Sequence, residues 1–136
     1  MTTRVLIIDD HEALADILAT AFRDDGYDTD VAYDGHAGLS LYRGGDYDIV
    51  VTDLLMPGFD GLETIKAIRG LNRTARVIAI SGGGARLDAG RLLSMAGSLG
   101  ADATMAKPFA PGRLVALAGT LERAGKLAER PEMRSP

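Results

Sequence analysis

Four short apolar runs in this chain each end in polar residues that can take part in chemistry. The residues at these ends are Asp9 and Asp10, Asp53, Ser81 and Lys107. If the runs are neighbouring parallel strands, three carboxylates, a hydroxyl and an ammonium meet at the carboxyl edge of one sheet, where open α/β sheets bind their ligands. This set of groups predicts a site for a divalent metal ion and a phosphoryl group.

The three carboxylates predict a binding site for a metal ion. Clustered carboxylates repel one another, and burying them is costly unless they share a cation. Mg²⁺ fits this role because it prefers hard oxygen ligands and keeps several of its waters. We expect Asp9, Asp10 and Asp53 to supply the acidic ligands and the backbone carbonyl of Leu55 to complete the coordination shell.

Asp53 is the candidate nucleophile. An aspartate can attack a phosphoryl group and form an acyl phosphate when a metal ion and an ammonium neutralise the phosphoryl oxygens. Lys107 provides the ammonium, and Ser81 can donate a hydrogen bond to another phosphoryl oxygen. In-line transfer depends on positioning more than on acid–base catalysis, so no catalytic histidine is required.

The elements that must position these residues alternate between strand and helix. Apolar β-branched runs predict strands, and apolar residues spaced three and four apart predict amphipathic helices between them. The alternation predicts an α/β fold in which helices cover both faces of a parallel sheet. Five strands suit the doubly wound order 2-1-3-4-5, which places strands one and three side by side. The predicted strands cover residues 5–8, 28–32, 48–52, 76–80 and 102–106.

Capping residues and glycines predict where the helices begin and end. Gly26 is placed to end the first helix in a left-handed conformation, and Asp34 opens the second. Asp60 begins a capping box at the third helix, and Pro111 starts the last one. Two glycines weaken the fourth helix, predicted over residues 86–99. The last helix is predicted to carry one apolar stripe, made of Leu114, Leu117, Ala118, Leu121, Ala124 and Leu127.

The bulk properties are those of a single globular domain. The chain has 136 residues, of which 46% are hydrophobic and 25% charged. A net charge of −4 and the absence of a basic run argue against nucleic-acid binding. No cysteine is present for disulfides or thiolate metal sites, and the first apolar run is too short for a signal peptide. We expect a cytoplasmic protein that does not bind membranes.

Four segments together resemble the receiver domain of two-component response regulators. They are Leu6–Asp10, Asp53–Gly61, Ile80–Gly82 and Gly100–Phe109, in the order and at the spacings of that family. The resemblance covers residues 4–125 and implies the flavodoxin-like (βα)5 fold. It implies Asp53 as phosphoacceptor, Asp9 and Asp10 as metal-site acids, Ser81 and Lys107 as residues that contact the phosphoryl group, and a cis peptide bond between Lys107 and Pro108.

The resemblance also implies partners. The phosphoryl group would come from a sensor histidine kinase or a histidine phosphotransfer protein, and the signal would reach an unidentified output protein. The chain would catalyse only its own phosphotransfer and slow autodephosphorylation, so we do not expect an enzyme. We expect a stand-alone regulator with a receiver domain at residues 1–128 and a flexible tail at residues 129–136. The fourth helix, fifth strand and last helix form the candidate interface, including for a homodimer.

Several positions depart from the family pattern. Thr104 stands where receivers often carry a Tyr or Phe that moves inward on activation. Leu55 and Gly83, two residues beyond Asp53 and Ser81, stand where side chains tune the phosphoryl lifetime, and neither can orient an attacking water. These departures predict a long-lived phosphoryl group and a switch carried by Ser81 and the glycine-rich loop after it.

Other interpretations compete for the same residues. A receiver fold that signals without phosphorylation would not need the complete set of acids, hydroxyl and lysine. An aspartyl-phosphate phosphatase would need a second aspartate two residues after the nucleophile, where Leu55 stands. Asp9 and Asp10 could merely cap the first helix, and Lys107 could be a solvated surface lysine. The glycines after Ser81 suggest a dinucleotide loop, but that fingerprint belongs after the first strand.

Overall fold

The computed structural model describes residues 2–56, 61–71, 74–82 and 89–128. Within these ranges five strands and five helices alternate along the chain, as predicted. The strands are Arg4–Ile8 (β1), Asp28–Ala32 (β2), Ile49–Asp53 (β3), Arg76–Ser81 (β4) and Ala103–Ala106 (β5). The helices are Glu12–Asp24 (α1), Gly35–Gly44 (α2), Gly61–Gly70 (α3), Ala89–Leu99 (α4) and Pro111–Ala128 (α5).

The five strands form one parallel sheet in the order β2-β1-β3-β4-β5, which confirms the predicted fold. β1 and β3 are neighbours, with Ile8 opposite Thr52. β3 and β4 are also neighbours, with Asp53 opposite Ile80. The carboxyl ends of these three central strands therefore reach the same edge of the sheet.

Apolar side chains cover the sheet on both faces. In β1, Leu6 and Ile8 belong to the core beneath α2, α3 and α4, whereas Val5 and Ile7 belong to the core beneath α1 and α5. All four side chains are fully buried, which explains why the strand has no polar alternation. Each such side chain contributes about 1.5–3 kcal/mol through burial.

Among the described helices, none has the length and apolar character that a membrane span requires.

Two strands extend one residue beyond their apolar runs. β3 was predicted to end before Asp53 and β4 before Ser81, but both residues belong to the strands. The reason is that the backbone ladder continues: the N–H of Leu54 donates to the carbonyl of Ile80 at 3.0 Å, and the N–H of Lys107 donates to the carbonyl of Ser81 at 2.8 Å. Asp53 and Ser81 are thus held by the sheet and not by loops.

The helix boundaries follow the predicted signals where the structure describes them. The Asp34 carboxylate accepts a hydrogen bond from the N–H of Ala37 at 2.7 Å, and Gly26 has a φ of 94°. Along the predicted stripe of α5, burial decreases towards the carboxyl end: Leu114 and Ala118 are buried, Leu121 is half-buried and Ala124 is exposed. Glu122 of α5 accepts a hydrogen bond from the hydroxyl of Thr3, just before β1. The predicted cap Asp60, residues 83–88, the tail and the side chain of Leu127 lie outside the described residues.

Candidate functional site

The candidate site lies where β1 and β3 end side by side. Asp9 follows β1 directly, and Asp53 is the last residue of β3. The N–H of Asp9 donates to the carbonyl of Ala32 on β2 at 3.1 Å, while the N–H of Leu54 donates to β4. The backbone on both sides of the site is therefore fixed by the sheet.

Asp9, Asp10 and Asp53 come together, as predicted. Each offers a carboxylate oxygen, and these oxygens all lie within 4.8 Å of one another. Asp9 is 0% exposed and Asp53 is 5% exposed, whereas Asp10 faces solvent. The Asp9 carboxylate also accepts a hydrogen bond from the N–H of His11 at 3.0 Å, beside the start of α1. The N-cap residue of α1 is His11, so neither Asp9 nor Asp10 caps this helix and the helix-capping alternative is wrong.

The Lys107 ammonium lies between the two buried acids. Its Nζ is 3.1 Å from Asp9 Oδ2 and 3.6 Å from Asp53 Oδ2. The side chain is only 19% exposed, so the alternative of a solvated surface lysine is wrong. The peptide bond to Pro108 is cis, as predicted. Gly82 packs against the lysine stem, because a Cβ there would lie 3.1 Å from Lys107 Cδ, and a larger residue would crowd the lysine.

Two buried polar atoms at this edge have no hydrogen-bond partner among the described residues. They are Oδ1 of Asp53 and Oγ of Ser81. Ser81 is 0% exposed and follows Ile80, the residue that pairs with Asp53 across the sheet. Leaving a buried polar group unmatched costs about 1–3 kcal/mol. The Asp53 oxygen is therefore suited to bind a cation, and the Ser81 hydroxyl is suited to donate a hydrogen bond to an oxygen of a ligand.

The environment of Asp53 favours the protonated form of its carboxyl. Burial raises the pKa of Asp53 to about 6, and the negative charge of Asp9 adds to this increase. The ammonium of Lys107 and a backbone hydrogen bond from Leu55 act in the opposite direction without cancelling it. Since desolvation disfavours the charged form, a bound cation would lower this pKa again and favour the ionised state that a nucleophile requires.

The donor set fits Mg²⁺. All three side chains in the cluster are carboxylates, the hard oxygen ligands that this ion prefers. Among the described residues of the cluster, three carboxylates and one ammonium leave two uncompensated negative charges, which a divalent cation would balance. The exposed side of the cluster, at Asp10, leaves room for the waters that Mg²⁺ retains. The ligand role of the Leu55 carbonyl stays a prediction.

One backbone contact at the site was not predicted from the sequence. It involves Gly61, where a Cβ would lie 2.0 Å from the carbonyl oxygen of Asp53. A glycine at the first position of α3 is a poor helix former and could have signalled a close contact, but not its partner.

The sequence matches a known protein family over most of its length. The family model described as "Response regulator receiver domain" matches residues 5–118. The chain belongs to this family. The receiver is 32% identical over 132 residues to the transcriptional regulatory protein TcrA of Mycobacterium tuberculosis, which covers 97% of this chain and 51% of TcrA. It thus spans about half the length of the curated relatives it matches.

Solved receiver structures have the same fold. The Francisella response regulator 1452 receiver domain is 31% identical and superposes with a TM-score of 0.81, covering 91% of this chain and 99% of that one. A CheY-like receiver domain protein from Methanospirillum hungatei has a TM-score of 0.81 at 23% identity, with coverages of 93% and 98%, and supports the fold alone. Receiver domains bind Mg²⁺ at an acidic pocket and interact with histidine kinases or phosphotransfer proteins.

Proposed function

We propose that this receiver accepts a phosphoryl group onto Asp53 from a sensor histidine kinase or a histidine phosphotransfer protein, with Mg²⁺, in the cytoplasm. It then signals through protein contacts. One observation carries the proposal: Asp53 presents a carboxylate oxygen without a described partner in a buried site that it shares with Asp9 and Lys107. Such an oxygen is available to bond to phosphorus.

The transfer can be written for the residues present. A carboxylate oxygen of Asp53 attacks the phosphorus, the P–O bond forms, and the P–N bond to the donor histidine breaks with its electron pair leaving on nitrogen. Lys107 pairs with one phosphoryl oxygen, and the Ser81 hydroxyl donates a hydrogen bond to another. Bound Mg²⁺, held by the three aspartates, would supply further charge neutralisation.

Phosphorylation by a small donor tests this function. Incubation with acetyl phosphate and Mg²⁺ should add the mass of one phosphoryl group to the intact protein. Asp53→Asn should abolish the addition, whereas Asp24→Asn, at the exposed far end of α1, should not. Full phosphorylation of the Asp53→Asn variant would overturn the assignment of the phosphoacceptor.

Two alternatives are less well supported. A phosphatase acting on a separate substrate would need a second carboxylate two residues after Asp53, and the half-buried side chain there is Leu55. A receiver that signals without phosphorylation would bind its output partner equally well as wild type and as Asp53→Asn, with and without acetyl phosphate. Equal binding in all these states would favour that second alternative.

We propose the surface formed by α4, β5 and α5 as the output interface, including for a homodimer. Met95 and Leu99 of α4 are large apolar side chains that are 45% and 37% exposed. Thr104 and Ala106 of β5 are exposed as well. Sedimentation with and without the phosphoryl mimic beryllofluoride should show dimerisation in the activated state. A monomer in both states would exclude the homodimer.

A further inference from the structure

Gly61, the first residue of α3, lies directly against the backbone of Asp53. Its N–H donates to the carbonyl of Leu54, with an N···O distance of 3.3 Å. A Cβ at this position would lie 2.0 Å from the carbonyl oxygen of Asp53 and 2.6 Å from Cα of Leu54. Both are backbone atoms, so rotating a side chain cannot relieve the contact. A larger residue requires the backbone to move.

The elements on both sides of this contact are held firmly. On the strand, the hydroxyl of Thr52 donates to the carbonyl of Asp53 at 3.1 Å, and the next N–H, that of Leu54, donates to β4. On the helix, Ile65 and Ile68 are 0% exposed. Accommodating a Cβ would take a movement of about 1 Å shared between strand and helix, whereas reactive constellations tolerate displacements of about 0.5 Å.

We propose that Gly61 is a positioning residue for Asp53. By lacking a side chain it lets α3 pack against the end of β3, so that the Asp53 carboxylate stays within reach of Lys107 and Asp9. This inference rests on the proposed function of Asp53. Gly61 itself touches neither the metal nor the phosphoryl group in this proposal, and it acts through the backbone alone.

Three variants of α3 test the proposal. Gly61→Ala places a Cβ against the backbone of Asp53. Gly70→Ala is the matched control, because a Cβ at this end of the helix has nothing within 4 Å. Ile68→Val controls for lost stability, because it shortens a buried core side chain. Well below their melting temperatures, Mg²⁺ affinity is measured by calorimetry and the phosphorylation rate with acetyl phosphate by intact mass. Gly61→Ala should lower the rate about 100-fold and the affinity about tenfold. The other two should remain within about twofold of wild type.

The measurements distinguish a positioning role of Gly61 from a purely structural one. If Gly61→Ala behaves like Ile68→Val in both measurements, Gly61 only stabilises the fold and the proposal is wrong. If Gly61→Ala is unfolded in buffer, the same measurements in trimethylamine N-oxide, which favours the folded state, decide between the two roles. If the wild type binds Mg²⁺ but is not phosphorylated, the function proposed for Asp53 fails, and the Mg²⁺ affinities alone still test Gly61.

Discussion

The Lys107 ammonium lies closer to Asp9 than to Asp53, at 3.1 Å against 3.6 Å. Asp9 is 0% exposed, so its charge depends on this ammonium and on the N–H of His11 instead of on water. A buried carboxylate that loses the cation paired with it is strongly destabilising. Lys107 therefore stabilises the acidic cluster, and any metal ion must share the same carboxylates with it.

Replacing Lys107 should show how strongly the stability of the protein depends on its positive charge. Lys107→Met should destabilise the metal-free protein by about 3–5 kcal/mol, because Asp9 is left buried without a cation. Mg²⁺ should raise the melting temperature of this variant more than that of wild type, because it restores a positive charge beside Asp9. Calorimetry with millimolar Mg²⁺ and with EDTA measures both effects. Lys66→Met, at an exposed position of α3, is the control, and an equal loss of stability in both variants would contradict the prediction.

Metal binding should depend on Asp10 and Asp53 more than on Asp9, which we expect to act through a bound water. Mg²⁺ should also raise the melting temperature of wild type, because ligand binding to the native state stabilises it and relieves the repulsion among the carboxylates. Titration calorimetry should show a large loss of affinity in Asp10→Asn and none in Asp24→Asn. The same melting temperature in Mg²⁺ and in EDTA would argue against a preformed site.

Removing the charge of Asp53 should stabilise the metal-free protein near neutral pH. Its pKa is raised to about 6 in the fold. Between the unfolded pKa and this value the folded protein holds a proton that the unfolded chain has lost, so stability falls as pH rises through this range. At pH 7 Asp53→Asn should therefore be more stable than wild type by on the order of 2 kcal/mol. Urea unfolding in EDTA should show this advantage shrinking towards pH 4, and an advantage independent of pH would contradict the assignment.

The phosphoryl group should last on the order of hours, because the side chain two residues after Asp53 cannot orient a hydrolytic water. That residue, Leu55, is half-buried and apolar. Leu55→Asn, which introduces a hydrogen-bonding group, should shorten the lifetime, whereas Leu55→Met should not. Loss of the phosphoryl mass over time at neutral pH gives both rates. A wild-type half-life below about a minute would show the prediction to be wrong.

Activation should proceed without movement of an aromatic side chain, because the usual aromatic position on β5 carries the small, exposed Thr104. We expect Ser81 to move towards the phosphoryl group and to displace the residues that follow it. NMR spectra with and without beryllofluoride should show the largest shifts at residues 81–90. Shifts concentrated around Phe109 or Tyr33, with residues 81–90 unchanged, would instead indicate an aromatic switch.

The sequence by itself determined the order of the elements, the parallel sheet and the edge at which the polar residues gather. These features follow from local patterns, because the spacing of apolar residues sets the type of element and alternation sets the topology. For the same reason, the sequence predicted that the acids at the ends of β1 and β3 lie close together. The catalytic and ligand roles of Asp53, Ser81 and Lys107 stay predictions.

Only the tertiary structure decided how these residues interact. The nearer partner of Lys107 is set by how β5 lies relative to β1, and the raised pKa of Asp53 is set by burial between neighbouring strands. The contact of Gly61 with Asp53 and the exposure of Ala124 likewise depend on where whole elements pack. Such distances join residues far apart in the chain, and no local sequence pattern contains them, because they arise from the packing of the complete sheet and its helices.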